Sequence, residues 1–224
     1  MLDKKFLGLL ELVVDSYIER WEPIGSKFLN ALNYQWWAPS TLRKYLKVLE
    51  DEQYVYQPYH SAWRIPTLKW WWVYVQGVID SVQGDDIDLA RMQLRELVKA
   101  LSQMVKGVVV GFVDWDDYHY LWIQNLLSNH SFVQDLQTLQ QIVGRIESKK
   151  IIDILKKKNI KKGQINYSFF SLDDQEGEKI ISVFSINLAL EWGKNGVLAI
   201  VSPVRTNYKQ NLRVLKKVLE VYGS

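Results

Sequence analysis

The sequence predicts an α+β protein in which an N-terminal winged helix-turn-helix domain precedes a mixed helix-and-strand domain. Three observations predict it. Apolar residues recur at helical spacing in three successive stretches between Lys4 and Gln53, separated by breaks marked by proline and glycine. A short β-prone pair of segments follows, from Tyr54 to Pro66, around a turn at Pro58. Beyond Gly107, helical periodicity is interrupted by β-branched or alternating runs.

Taken in order, Phe6, Leu9, Leu10, Val13, Tyr17 and Ile18 put one apolar stripe on a helix from Lys4 to Arg20. Glu22-Pro23 breaks it. Gly25-Ser26 offers the start of a short second helix, Lys27 to Leu32, and Asn33 to Trp37 reads as a turn. Pro39 and Ser40 open a third helix running to about Gln53. Leu42, Tyr45, Leu46 and Leu49 form its apolar side, and Arg43, Lys44 and Lys47 lie on the other. Tyr54-Val55-Tyr56 is a strand, Pro58 to Ala62 a turn, and Arg64-Ile65-Pro66 a return strand. Helix, helix, turn, helix and two-stranded wing is the order of a winged helix-turn-helix, here residues 1–67.

Residues 68–106 read as linking helices. One begins near Thr67 and runs to about Val82; after a break at Gly84-Asp85-Asp86, a second runs from Ile87 to Val105. Residues 107–224 form the second domain. Gly107 to Val113 suits a buried strand, and Tyr118 to Ser128 and Phe132 to Ile146 read as helices. Lys149 to Lys162 holds seven lysines and one aspartate and reads as a solvated linker and helix end, with an accessory phosphate contact as the alternative. Gln164 to Leu172 and Lys179 to Leu188 alternate as a hairpin, and Gly196 to Ser202 is a further strand. Asn207 caps a last helix carrying Leu212, Leu215, Val218, Leu219 and Tyr222 in register.

Composition narrows the function classes. The chain has 224 residues, 48% of them hydrophobic and 24% charged, as in ordinary globular proteins. It contains no cysteine, so disulfides, thiol catalysis and thiolate metal sites are excluded. His60, His119 and His130 show no metal-ligand spacing. No Gly-rich phosphate loop or nucleophile–base signature marks an enzyme, and no cofactor is expected. The acidic cluster Asp114, Asp116 and Asp117 reads as a solvated loop. With no apolar run of about 18 residues and charges spread through the first helix, the protein is expected to be cytoplasmic and free of membrane.

A recognition helix presents its N-terminal residues to base edges in the major groove. That places Ser40, Thr41, Arg43, Lys44 and Lys47 toward DNA. Arg43 suits a bidentate guanine contact, and Lys44 and Lys47 suit phosphates. Ser26, at the second helix start, can bond a phosphate, and Arg64 in the wing approaches the backbone or minor groove. The net charge of +3 permits such a partner without demanding it. Residues 1–67 hold eight Lys and Arg against eight Asp and Glu, so non-specific affinity is expected to be modest. The competing reading is a ligand-sensing or protein-interaction module whose winged helix no longer binds DNA.

Glu22 to Lys27, the stretch Ser40 to Thr67, Ser202 to Tyr208 and, less closely, Asn125 to Leu127 with Phe132 resemble the heat-inducible transcription repressor HrcA family. Glu22-Pro23-Ile24-Gly25-Ser26-Lys27 is similar to the family's E-P-V-G-S-K. Ser40-Thr41-Leu42-Arg43, Leu49-Glu50 and Gln57-Pro58-Tyr59-His60-Ser61-Ala62-Trp63-Arg64-Ile65-Pro66-Thr67 are similar to A-T-I-R, L-E and Q-P-H-T-S-A-G-R-I-P-T. Ser202-Pro203-Val204-Arg205-Thr206-Asn207-Tyr208 is similar to G-P-T-R-M-D-Y, and Asn125-Leu126-Leu127 followed by Phe132 resembles an N-L-L…F segment. The resemblance implies a winged-helix head with a GAF-like domain, reduced here because the family's usual chain is longer. It also implies a homodimer that represses chaperone operons from an inverted-repeat operator on double-stranded DNA, assisted by the GroEL chaperonin. Lys44 and Tyr45 stand where the family has Asn and Asp, so operator preference is expected to differ.

Tryptophan is unusually abundant, with ten residues, and glycine scarce, with twelve. Against the family pattern, Trp21, Trp63, Trp70 and Trp122 fall on glycine positions. Glycine serves tight turns that bulky residues resist. One reading is a gene from a bacterium that decodes UGA as glycine. The other is a genuinely Trp-rich variant, for instance with Trp63 stacking in the wing.

Overall fold

Lys4–Arg20 forms helix α1 with the bounds its apolar spacing predicts, and Leu9, Leu10, Val13, Val14 and Tyr17 are buried along one side. The computed structural model describes residues 4–20, 22–32, 37–57, 64–84, 88–113, 117–120, 136–147, 150–157, 160–171 and 180–223. The chain divides into two units, Met1–Gly77 and Val78–Ser224. Among the described residues, no helix is long and apolar enough to cross a membrane. The turn Pro58–Ala62 with His60, together with Trp21, Trp63, Trp122, Asp114 and Asp116, lies outside the described residues.

In the first unit, α2 (Ser26–Ala31) and α3 (Pro39–Asp51) follow α1. β1 (Val55–Tyr56) then pairs antiparallel with β2 (Ile65–Pro66), Val55 opposite Pro66 and Tyr56 opposite Ile65. Gln53 adopts φ 61°, the left-handed turn that stops α3 and redirects the chain into β1. Leu42, Leu46 and Leu49 on α3 are fully buried with Leu29 of α2 and Ile24. Thr67 joins hairpin to helix. Its hydroxyl donates to Gln53 O at 2.7 Å and receives Trp70 N–H at 3.4 Å, satisfying one open donor where α4 (Leu68–Ser81) begins. Trp70 and Trp71 are among the largest buried side chains. Trp70 is 1% exposed, yet its indole N–H finds no acceptor among the described residues. A buried tryptophan ordinarily pairs that donor.

In the second unit, α5 (Leu94–Met104) leads into β3 (Val108–Val113) and β4 (Asp117–Tyr120). Helices α6 (Leu136–Glu147) and α7 (Lys150–Lys157) follow, then β5 (Asn166–Ser171), β6 (Ile180–Ala189), β7 (Asn195–Pro203) and α8 (Tyr208–Tyr222). The five strands form one antiparallel sheet in the order β4-β3-β7-β6-β5. Alternation sorts its side chains by face. Val108, Val110, Phe112, Ile181, Val183, Val197, Ala199 and Val201 pack with Ile142 of α6 and Ile151, Ile152 and Leu155 of α7. The other face receives α5 and α8. A Cβ on Gly111 would come within 2.6 Å of Val98, so glycine is what lets α5 lie this close to β3.

Three expectations need correction. Tyr118 does not open a helix: residues 117–120 are a strand paired with β3, Phe112 opposite Tyr118 and Val110 opposite Tyr120. Tyrosines alternating with polar residues fit a pleated edge better than a helix turn. The helix expected from Ile87 starts only at Leu94. Residues 88–93 spend their backbone groups on α8 instead, with Met92 N–H donating to Tyr222 OH at 2.7 Å. The lysine-rich stretch is not merely linker: its first half is α7, anchored by two isoleucines and a leucine.

Candidate nucleic-acid interface

The candidate interface is the solvent side of α3. Pro39 occupies its first turn, and Ala38 ahead of it supplies no side-chain cap. The first N–H groups of this 13-residue helix therefore lack a capping side chain, and they carry the positive end of its dipole. Ser40 is exposed and Thr41 half-buried beside them. Arg43 and Lys44 are exposed one turn on, while the leucines between them and Glu50 face inward. Among the described residues, Arg43 is held by a single 3.3 Å bond from Nε to Pro39 O of its own helix, which leaves its guanidinium available for redeployment.

The helix is fixed from behind. Asn30 Nδ2 donates to Trp37 O at 3.0 Å, tying α2 to the segment that enters α3. Tyr45 lies between Trp37, 4.8 Å away, and Phe6, 5.1 Å away, measured between ring centroids. Such aromatic contacts add stability beyond their buried area and hold the angle at which α3 is presented.

Two of the basic residues are placed differently from Arg43. Lys47 reaches Asp51 at 3.1 Å and Glu50 at 3.6 Å. The hydrogen bond and charge of Asp51 hold its ammonium above the ordinary lysine range. Arg64 turns inward: its side chain is only 15% exposed, and its guanidinium meets Glu50 at 3.5 Å. Its Nε is buried without an acceptor among the described residues. Its backbone exchanges hydrogen bonds with Ile24 in both directions, at 2.9 and 3.0 Å, adding a bridge alongside the β1–β2 hairpin. Ser26 sits half-buried at the first position of α2, immediately after that bridge.

Sequence reasoning placed all seven residues in one unit but missed Glu50, which gathers Lys47 and Arg64. The signal for half of this was present: Lys47 stands three residues before Glu50 and four before Asp51, the spacing at which helix side chains meet. The Arg64 contact comes from tertiary pairing and has no local signature. Among the described residues, no group of three or more His, Asp or Glu could hold a metal ion.

The family model for the HrcA protein C terminal domain matches residues 75–211. The chain is 31% identical over 117 residues to the heat-inducible transcription repressor HrcA of Acidothermus cellulolyticus, which is 52% of this chain and 31% of that protein. It is 39% identical over the same length and shares to the HrcA of Streptomyces avermitilis, again 117 residues. The matched stretch thus spans about a third of the length of these relatives, 31%. A crystal structure of a protein described only as hypothetical superposes with a TM-score of 0.71, covering 98% of this chain and 96% of its own at 17% identity. At that identity the likeness speaks for the fold alone.

Proposed function

The chain belongs to the HrcA family, and from that premise we propose that it is a sequence-specific DNA-binding transcription repressor of heat-shock and chaperone genes. It acts as a homodimer on an inverted-repeat operator. Residues 1–67 are the winged helix-turn-helix domain, 68–106 the linking helices, and 107–224 a reduced GAF-like regulatory and dimerisation domain. The sheet covered on both faces by helices supports the last of these. The observation that carries the reading is the polarity of α3. Its leucines are fully buried, while Ser40, Arg43 and Lys44 project from the opposite side beside uncapped N–H groups.

In this reading α3 enters the major groove. Arg43 forks onto a guanine edge, Thr41 and Ser40 approach bases or the nearest phosphate, and Lys44 reaches the backbone. Ser26 adds a hydroxyl at the start of α2. Lys47 contributes only by loosening its hold on Asp51, and Arg64 braces the wing against α3 more than it contacts DNA. Two heads related by a two-fold axis read the two halves of the operator. GroEL is the regulatory partner that family membership suggests.

Fluorescence anisotropy tests this with an inverted repeat taken from upstream of a neighbouring chaperone gene and a scrambled duplex of equal length. A specific repressor prefers the former by on the order of 10³ or more. Equal affinities would refute the proposal. One observation favours a second reading, a sensing or interaction module with a silent winged helix: the head carries no net charge, and among the described residues three of its cations, Arg20, Lys47 and Arg64, are already paired. Absence of binding to either duplex at low salt selects it.

A further inference from the structure

We propose that the lysine-rich surface of the second unit, around α7 and the turn that follows it, is a second DNA-backbone contact. The inference rests on the DNA-binding reading above and extends it to a domain assigned only regulation and dimerisation.

The first argument is where the charge sits. Residues 149–162 carry seven lysines and one aspartate, a net +6, whereas the whole chain is only +3. The rest of the protein is therefore net negative, and the winged-helix region is neutral. A DNA-binding protein gains most of its sequence-independent affinity by neutralising phosphates and releasing their counterions. Here the surplus cations for that task lie outside the head.

The second argument is that three of these lysines, Lys150, Lys161 and Lys162, are displayed on built structure. Ile151, Ile152 and Leu155 bury one side of α7 against the sheet, which leaves Lys150 exposed at its start. Beyond the helix, Asn187 Nδ2 donates to Ile160 O at 2.6 Å. Asn166 then clasps the turn three ways: Oδ1 accepts Lys161 N–H at 3.1 Å, and Nδ2 donates to Lys161 O at 2.9 Å and Gln164 O at 3.2 Å. Gly163, at φ 69°, supplies the left-handed residue that closes it. Lys161 and Lys162 thus project, exposed, from a turn whose backbone is already ordered. Among the described residues, no carboxylate pairs with Lys150, Lys161 or Lys162, in contrast to Lys47. Cations fixed on a scaffold and not answered locally suit a regularly spaced polyanion. Since the reading above already supplies duplex DNA, its phosphates are the partner proposed.

The test is the salt dependence of DNA binding by the full chain. Lys150→Gln, Lys161→Gln and Lys162→Gln are combined in one variant, with circular dichroism and thermal melting to establish folding. Each lost phosphate contact lowers the slope of log K against log salt by about 0.9. Between 200 and 50 mM salt, the variant then gains roughly 40-fold less affinity than the wild type, with operator-to-scrambled preference unchanged. A charge-reversed variant, Lys161→Glu with Lys162→Glu, weakens binding further. Wild type that binds the operator with a slope identical to the variant's overturns this inference and leaves the repressor reading intact. Loss of slope with no sequence preference supports the contact and overturns the repressor reading. No binding of any duplex at 50 mM salt overturns both.

Discussion

Truncating Arg43 to alanine separates the residues that read bases from those that merely share their helix face. Among the described residues its guanidinium makes one long bond, 3.3 Å, to a carbonyl of its own helix. A surface bond of this kind costs well under about 1 kcal/mol to give up. A bidentate guanine contact is worth about 1–3 kcal/mol of discrimination, so nearly all of that energy appears in binding. Arg43→Ala should therefore weaken operator affinity roughly 5- to 150-fold and flatten preference at one base pair of each half-site. Lys47 provides the internal comparison. It must leave Asp51 and Glu50 before it reaches a phosphate, so Lys47→Ala should change affinity less than about fivefold, equally on all sequences. Both side chains are exposed, and the leucines behind them are untouched, so melting temperatures should stay within a degree or two of wild type. Anisotropy titrations against the operator and its single-base variants measure both. Equal losses for the two variants, or a larger loss for Lys47, would refute the assignment of α3's N-terminal half as the reader.

Three further outcomes are expected. Asn211 is fully buried and holds the Lys106 backbone from both sides, accepting its N–H at 2.8 Å and donating to its carbonyl at 3.2 Å. Asn211→Ala should cost about 2–4 kcal/mol by chemical denaturation, and a loss under 1 kcal/mol would contradict this role. Burial pushes the Tyr208 phenol far above its ordinary value of 10.0, so folding withholds a proton that the unfolded chain releases. Its contribution is complete below pH 10 and declines above it, by about 1.4 kcal/mol per pH unit. Between pH 9 and 11 the stability of wild type should therefore fall by about that much relative to Tyr208→Phe, and parallel curves would be inconsistent with a buried neutral phenol. Trp70→Phe removes a buried donor that lacks an acceptor, which offsets much of the lost volume. The net change should be under about 1 kcal/mol, and a loss above 3 kcal/mol would show the indole to be well accommodated.

Local chemistry explains what was legible in the sequence. α1 ran from Lys4 to Arg20 as read because one stripe of apolar residues ended at a proline pair, and Asn207 capped α8 by accepting Gln210 N–H as its position suggested. β4 was misread because Asp-Tyr-His-Tyr has too few residues to establish a period, and only its partner β3 decides the conformation. Residues 88–93 failed for a related reason: Tyr222, well over a hundred positions away, competes for their backbone. At the candidate interface, the exposed face of α3 followed from periodicity, and Ser40, Arg43 and Lys44 are exposed on it. The Arg64–Glu50 contact was not legible, because strand alternation gives a side without saying that Glu50 waits there.

The bridge between Ile24 and Arg64 has a mechanical consequence. It stitches the start of α2 to the root of the wing, and Glu50 pins that same root to α3. Force applied to the β1–β2 pair is thereby shared with α2 and α3. Under the DNA-binding proposal, the three elements would meet a duplex as one preformed unit, with little ordering entropy left to spend.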